Sequence, residues 1–160
     1  MLGLLGLSAC TNIECPLDNV VIMTCSLYSS ETETSLTMAD ALTVHPANHN
    51  FFLLNQATDI SSFVAPLRNT GGTDTLLLSF SNTQNQLATD TLFVTHTPTP
   101  HFESIDCPAS VFHHITTVRW TSHSLGLMPL TIDSVAIIRS LVDYEDMENL
   151  RLYLRATTSE

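Results

Sequence analysis

Short apolar runs rich in β-branched and aromatic residues recur along this chain, and each is stopped by proline, glycine or a polar cluster before it could complete a helix. Nine such runs occupy residues 20–28, 42–44, 51–54, 63–65, 75–80, 91–95, 111–120, 132–138 and 150–154. The last shows the pattern most plainly: Leu150, Leu152 and Leu154 fall on one side of a pleat, and Arg151, Tyr153 and Arg155 on the other. One buried and one wet face, repeated over many short strands, predicts an all-β chain folded as an antiparallel, immunoglobulin-like β-sandwich. Val21, Phe80, Phe93 and Leu152 are expected inside. The paired Gly71 and Gly72 after Arg68 allow a tight connection between strands, and the only helical turn expected lies over residues 143–148.

Alternation along 111–120 puts Phe112, His114, Thr116, Val118 and Trp120 on one face and Val111, His113, Ile115, Thr117 and Arg119 on the other. Trp120 is expected in the core rather than as an exposed stacking platform. Thr73-Asp74-Thr75-Leu76 recurs as Thr89-Asp90-Thr91-Leu92, which reads as two hairpins sharing one strand-entry chemistry, with aspartate at the turn and threonine on the pleat. Calcium binding by Asp74 and Asp90 is the sharper alternative, but neither segment gathers the oxygen ligands a calcium loop needs.

Charge restricts the partners. The formal net charge is −11, only 13 % of residues are charged, and every basic residue is an arginine. Such a surface cannot displace counterions from a phosphate backbone, so nucleic acid is excluded as a partner, and anionic lipid headgroups would repel it. Serine and threonine supply the surface polarity instead, as in envelope-type β proteins.

Leu7-Ser8-Ala9-Cys10 closes an apolar stretch from Met1 and has the form of a bacterial lipobox: a membrane-entering segment, small side chains for a signal peptidase, and a cysteine able to carry diacylglycerol. The first basic residue is Arg68, so the positive opening of a targeting segment is lacking and a start upstream of Met1 is expected. The expected organisation is a signal peptide over 1–9, a lipidated N-terminus and short tether over 10–18, and a single sandwich domain over 19–157. No other segment approaches the roughly 20 apolar residues of a spanning helix. Cys10 is therefore the expected lipidation site, and the membrane the expected partner through that lipid. No acidic cluster follows Cys10, from which an outer membrane lipoprotein facing the periplasm is expected.

With Cys10 lipidated, Cys15, Cys25 and Cys107 remain, and only two can pair. Cys25 lies within a β-rich run where a thiol behaves as a small buried hydrophobe. Cys15 and Cys107 sit in loop-like settings, each followed by proline. A Cys15–Cys107 disulfide with a free Cys25 is expected, with Cys25–Cys107 the alternative.

Histidines are the strongest site candidates: His96, His101, His113, His114 and His123 all lie in the second half. Adjacent His113 and His114 point to opposite faces of a strand, so at most one can join a cluster. No short ligand spacing supports a metal site, and no Gly-x-Ser-x-Gly elbow, acid pair or phosphate loop frames a catalytic group. The expectation is no metal, no cofactor and no enzymatic activity. The acidic run 143–148 reads as a solvated connector, with a docking loop for a basic partner as the alternative.

Cys15 before a first strand, Phe63-Val64-Ala65-Pro66-Leu67 followed by Asp74-Thr75-Leu76-Leu77-Leu78-Ser79-Phe80, and Asp90-Thr91-Leu92-Phe93-Val94 running through Phe102-Glu103-Ser104 to Cys107 resemble a family of small uncharacterised lipoproteins from Bacteroidota cell envelopes. Ile132-Asp133-Ser134-Val135-Ala136-Ile137-Ile138 and Leu150-Arg151-Leu152-Tyr153-Leu154 are similar to its closing strands. The resemblance covers nearly the whole chain after Cys10. It implies envelope location and a β-sandwich-like fold, and carries no catalytic or binding residue. That family has Cys-Gly-aromatic where this chain has Cys107-Pro108-Ala109, which implies a different loop around the bridge. The function expected is a lipid-anchored, non-catalytic interaction or accessory module with an envelope protein as partner. The alternative is a glycan-binding or fimbria-like surface lipoprotein.

Overall fold

The computed structural model describes Cys15, residues 19–124 and residues 130–156. The chain forms β1 (Met23–Ser29), β2 (Ala41–Pro46), β3 (Leu54–Ala57), β4 (Ser62–Ala65), β5 (Gly72–Ser81), β6 (Leu87–His101), β7 (Ser110–Thr121), β8 (Leu130–Ile137), β9 (Leu141–Val142) and β10 (Glu148–Ala156). A four-stranded sheet, β4-β1-β10-β8, faces a six-stranded one, β3-β2-β5-β6-β7-β9. The expected β-sandwich is therefore the fold. Its pairing is antiparallel except where β1 runs parallel to β10, joining the first and last described strands.

Period-two alternation builds the core. Met23, Cys25 and Leu27 of β1 and Leu150, Leu152 and Leu154 of β10 point at Leu42 and Val44 of β2, Leu76, Leu78 and Phe80 of β5, and Leu92 and Val94 of β6. Phe80 and Leu152 are fully buried as expected, while Val21 only packs against the core's edge. Phe93 is a correction. It shares β6 with buried Leu92 and Val94 but has the opposite parity, so it faces outward, where the Arg119 guanidinium lies 5.1 Å from its ring centre.

The faces of β7 are a second correction. Thr95 pairs with Thr117 and His96 with Ile115, leaving Thr116 as the extra residue of a bulge whose Oγ1 donates to the Thr95 carbonyl at 3.1 Å. Parity therefore switches mid-strand. His113 and Ile115 turn inward on one side of the bulge, and Val118 and Trp120 pack on the core on the other. The run 51–54 is displaced as well: β3 begins at Leu54, and Phe51 and Phe52 remain about half exposed ahead of it. Residues 143–145 form bends, 146–147 are irregular and Glu148 already opens β10, so no helical turn forms there. Arg139 spans Asp143 with two nitrogens, at 2.8 and 2.7 Å, and reaches Glu145 at 2.9 Å, so two carboxylates of the acidic run share one guanidinium while residues 145–147 stay exposed. That contact holds the Asp143 carboxyl below its usual pKa.

Candidate functional site

Two carboxylates break the apolar inner face of the β5–β6 hairpin. Asp74 has the same inward parity as Leu76, Leu78 and Phe80, and Asp90 the same as Leu92 and Val94. Asp74 pairs across the ladder with Val94 and Asp90 with Leu78, so the carboxylates sit toward opposite ends of the hairpin. The repeated Thr-Asp-Thr-Leu segments thus place aspartate inside the strands, where the expectation was a turn. Each aspartate holds a histidine.

At the first, Asp74 accepts hydrogen bonds from the Arg68 backbone N–H at 2.9 Å, from Arg68 Nε, and from His96 Nε2 at 2.9 Å. The turn after Arg68 makes this possible. Gly71 has φ 72° and its N–H returns to the Arg68 carbonyl at 3.0 Å, while a Cβ there would meet Pro98 Cδ at 2.5 Å. The His96 side chain is fully buried, and its Nδ1 lies 3.1 Å from Nδ1 of His113, the rings meeting edge to face. With Nε2–H given to a carboxylate, His96 meets His113 through its other nitrogen, the two Nδ1 atoms sharing one hydrogen. Both His96 nitrogens are then engaged inside the fold.

Burial, and secondarily the proximity of His96, push the His113 pKa down to about 4, while the Asp74 charge opposes them. An unfolded histidine titrates near 6.5, so between those values the unfolded chain binds the extra proton. The stabilisation is complete above about pH 6.5 and is lost as pH falls toward 4, a loss of about 3 kcal/mol from this residue. Urea unfolding at pH 7 and pH 4.5 tests this. His113→Asn, which keeps a hydrogen-bonding group toward His96 without a titrating ring, should flatten the pH dependence across that window, and an unchanged slope would contradict the assignment.

Asp74 and Arg68 also form one wall of a cleft of about 140 Å³, whose other lining includes Pro46, Phe51, Pro66, Leu67 and Leu76. The Arg68 side chain is 49 % exposed at its rim. Phe51 packs on His49, with ring centres 5.3 Å apart, and Phe52 stands edge-on to His45 at 5.8 Å. The cleft is apolar with one ion-paired wall, a shape suited to an apolar side chain or small apolar group.

At the second carboxylate, Asp90 is wholly buried and accepts from the His123 backbone N–H and Nδ1, both at 2.7 Å, from Thr131 Oγ1 at 2.9 Å and from the Ile132 backbone N–H at 2.7 Å. His123 Nε2 is buried without a hydrogen-bond partner among the described residues. This carboxylate ties β6 to the start of β8. The other expected histidines divide as strand parity demands: His113 joins the cluster, His114 is exposed, and His101 stacks on Phe112 with ring centres 4.2 Å apart. Among the described residues no three His, Cys, Asp or Glu side chains are grouped to hold a metal ion.

Cys15 and Cys107 form a disulfide with Cα atoms 5.5 Å apart. Cys25 is free and buried in β1, and burial raises its thiol pKa well above the usual range. Cys10 and the lipobox lie outside the described residues. Reasoning from sequence missed both Asp–His pairs. The one available signal was the echoed Thr-Asp-Thr-Leu, read with strand parity.

The model of a family of unknown function (DUF6452) matches residues 41–154, from β2 through most of β10. No curated protein and no solved structure matches the chain significantly.

Proposed function

On the premise that the chain belongs to the family of unknown function DUF6452, we propose that it is a lipid-anchored cell-envelope protein of Bacteroidota type, acting as a non-catalytic interaction module. Its cleft beside Arg68 receives an apolar side chain of an envelope protein. The observation that carries the reading is the cleft itself: an apolar slot of about 140 Å³ beside a half-exposed arginine, at one end of a rigid sandwich. The histidine behind it supports binding over catalysis, because both ring nitrogens of His96 are spent on Asp74 and His113 and neither is offered to the cleft. The lipobox at Leu7-Ser8-Ala9-Cys10 supports the anchor, and the lack of an acidic cluster directly after Cys10, where only Glu14 and Asp18 stand singly, supports an outer membrane position facing the periplasm. No helix among the described residues is long and apolar enough to cross a membrane.

A second reading, glycan binding at the cell surface, draws on Phe51 and Phe52, exposed by 48 % and 56 % beside the cleft. A photoreactive residue placed at position 51 in living cells separates the two. A discrete protein adduct is expected from position 51 and not from position 87, which is exposed at the far end of β6. A heterogeneous adduct collapsed by glycosidase would favour the glycan reading, and identical products from both positions would contradict a role for the cleft.

A further inference from the structure

The loop between β6 and β7 carries two strongly exposed apolar residues five positions or fewer from a disulfide cysteine. Phe102 is 67 % exposed and Ile105 fully so, the largest exposure of any large apolar side chain among the described residues. The same loop carries Cys107, joined to Cys15. Cys15 follows Cys10 by five positions, with four residues between them, a reach of at most about 18 Å even when fully extended. Whatever holds Cys10 therefore holds this loop close to it. A fixed aromatic base lies alongside: His101, the last residue of β6, stacks on Phe112, and Tyr144 stands edge-on to Phe112 at 4.9 Å with its hydroxyl donating to Ser110 Oγ at 2.6 Å.

We infer that the loop carrying Phe102 and Ile105 is a membrane-contact surface, seated in the interface of the bilayer to which Cys10 is tethered. The inference rests on the lipidation reading above and adds the orientation of the domain. An exposed isoleucine and phenylalanine on a short leash from an acyl anchor find apolar surface at the acyl–headgroup boundary, and a side chain inserted there resists rotation about the tether. The flanking Glu103 and Asp106 select the lipid. With the chain at −11 overall, an anionic surface repels this end, whereas the positive ammonium ends of zwitterionic headgroups attract its carboxylates, of which Glu103 also pairs with His101 at 3.4 Å. The domain then stands with β6 leading away from the bilayer. Leu87, 67 % exposed at the opposite end of that strand, lies up to about 45 Å along it from His101.

The test uses the full chain with the Cys10 thiol coupled to a maleimide-headgroup lipid in phosphatidylcholine vesicles. The chemistry is selective for Cys10, since Cys15 and Cys107 are bonded to each other and Cys25 is buried. On coupling, Ile105→Trp is expected to shift its emission to the blue, and lipids brominated in the acyl chain should quench it several-fold more strongly than Leu87→Trp, with the parent's Trp120 signal subtracted from both. Emission from Ile105→Trp that stays red and unquenched, matching Leu87→Trp, would overturn the inference. So would a blue shift that appears with rising protein concentration in the absence of vesicles, because a second copy would then be the occupant. The chemical tether separates this result from the lipoprotein reading. Unmodified Cys10 in cells would refute that reading alone, and an unquenched loop on tethered vesicles would refute the loop's placement alone.

Discussion

Asp90→Ala should cost about 3–5 kcal/mol, a large share of the roughly 5–15 kcal/mol that holds a typical domain folded. The wild-type carboxylate is wholly buried, and it collects two backbone N–H groups, one hydroxyl and one imidazole N–H at 2.7–2.9 Å. Alanine leaves those donors facing a dry cavity, and each buried donor left unmade costs about 1–3 kcal/mol. Asp90→Asn should fall between the two, because its amide keeps one acceptor and turns an N–H toward groups that are themselves donors. Urea titration of the three proteins at pH 7 measures this. A change below about 1 kcal/mol for alanine would mean that water satisfies the site and that Asp90 does not clamp β8 to β6.

Loss of the disulfide is expected to have an effect of similar size by a different route. Cys15 and Cys107 are 92 residues apart in sequence, and releasing a loop of that length returns about 4.5 kcal/mol of chain entropy to the unfolded state on the entropic model. Cys15 precedes β1 and has no partner strand, so the bond is also what fixes the start of the domain to the β6–β7 loop. Cys15→Ser combined with Cys107→Ser should lower the denaturation midpoint and open the segment before β1 to protease while the sandwich persists. An unchanged midpoint together with unchanged cleavage would show that packing alone holds that segment.

The layered fold was legible in the sequence because strand parity and turn chemistry are local signals. Eight of the nine expected runs form strands in place, the run 51–54 contributes only Leu54 to β3, and the missed tenth strand, β9, has only two residues, too few to leave a period. What failed was non-local. The bulge at Thr116 depends on how β6 and β7 register against each other, and nothing within 111–120 reveals an inserted residue. Phe93 is apolar enough for the core, yet Leu92 and Val94 hold the inward parity of β6 and turn it outward. The helical turn expected over 143–148 gave way to Arg139, whose guanidinium gathers two of the acidic side chains. The pairing of Cys15 with Cys107 was legible by setting, since Cys25 sits on an inward position of a strand. The Asp–His pairs were not, because a lone aspartate amid leucines reads as a turn residue until its partner, 22 or 33 residues away, is brought beside it.

The proposal that this sandwich is a lipoprotein body turns on Cys10. Mass analysis of the N-terminal peptide of the protein extracted from cell membranes with detergent tests it most directly. A peptide beginning at Cys10 and carrying diacylglycerol on its sulfur is the result predicted, and replacement of Cys10 by alanine should abolish both the acylation and the membrane fractionation. A peptide that retains residues 1–9 with an unmodified Cys10 thiol would contradict the account.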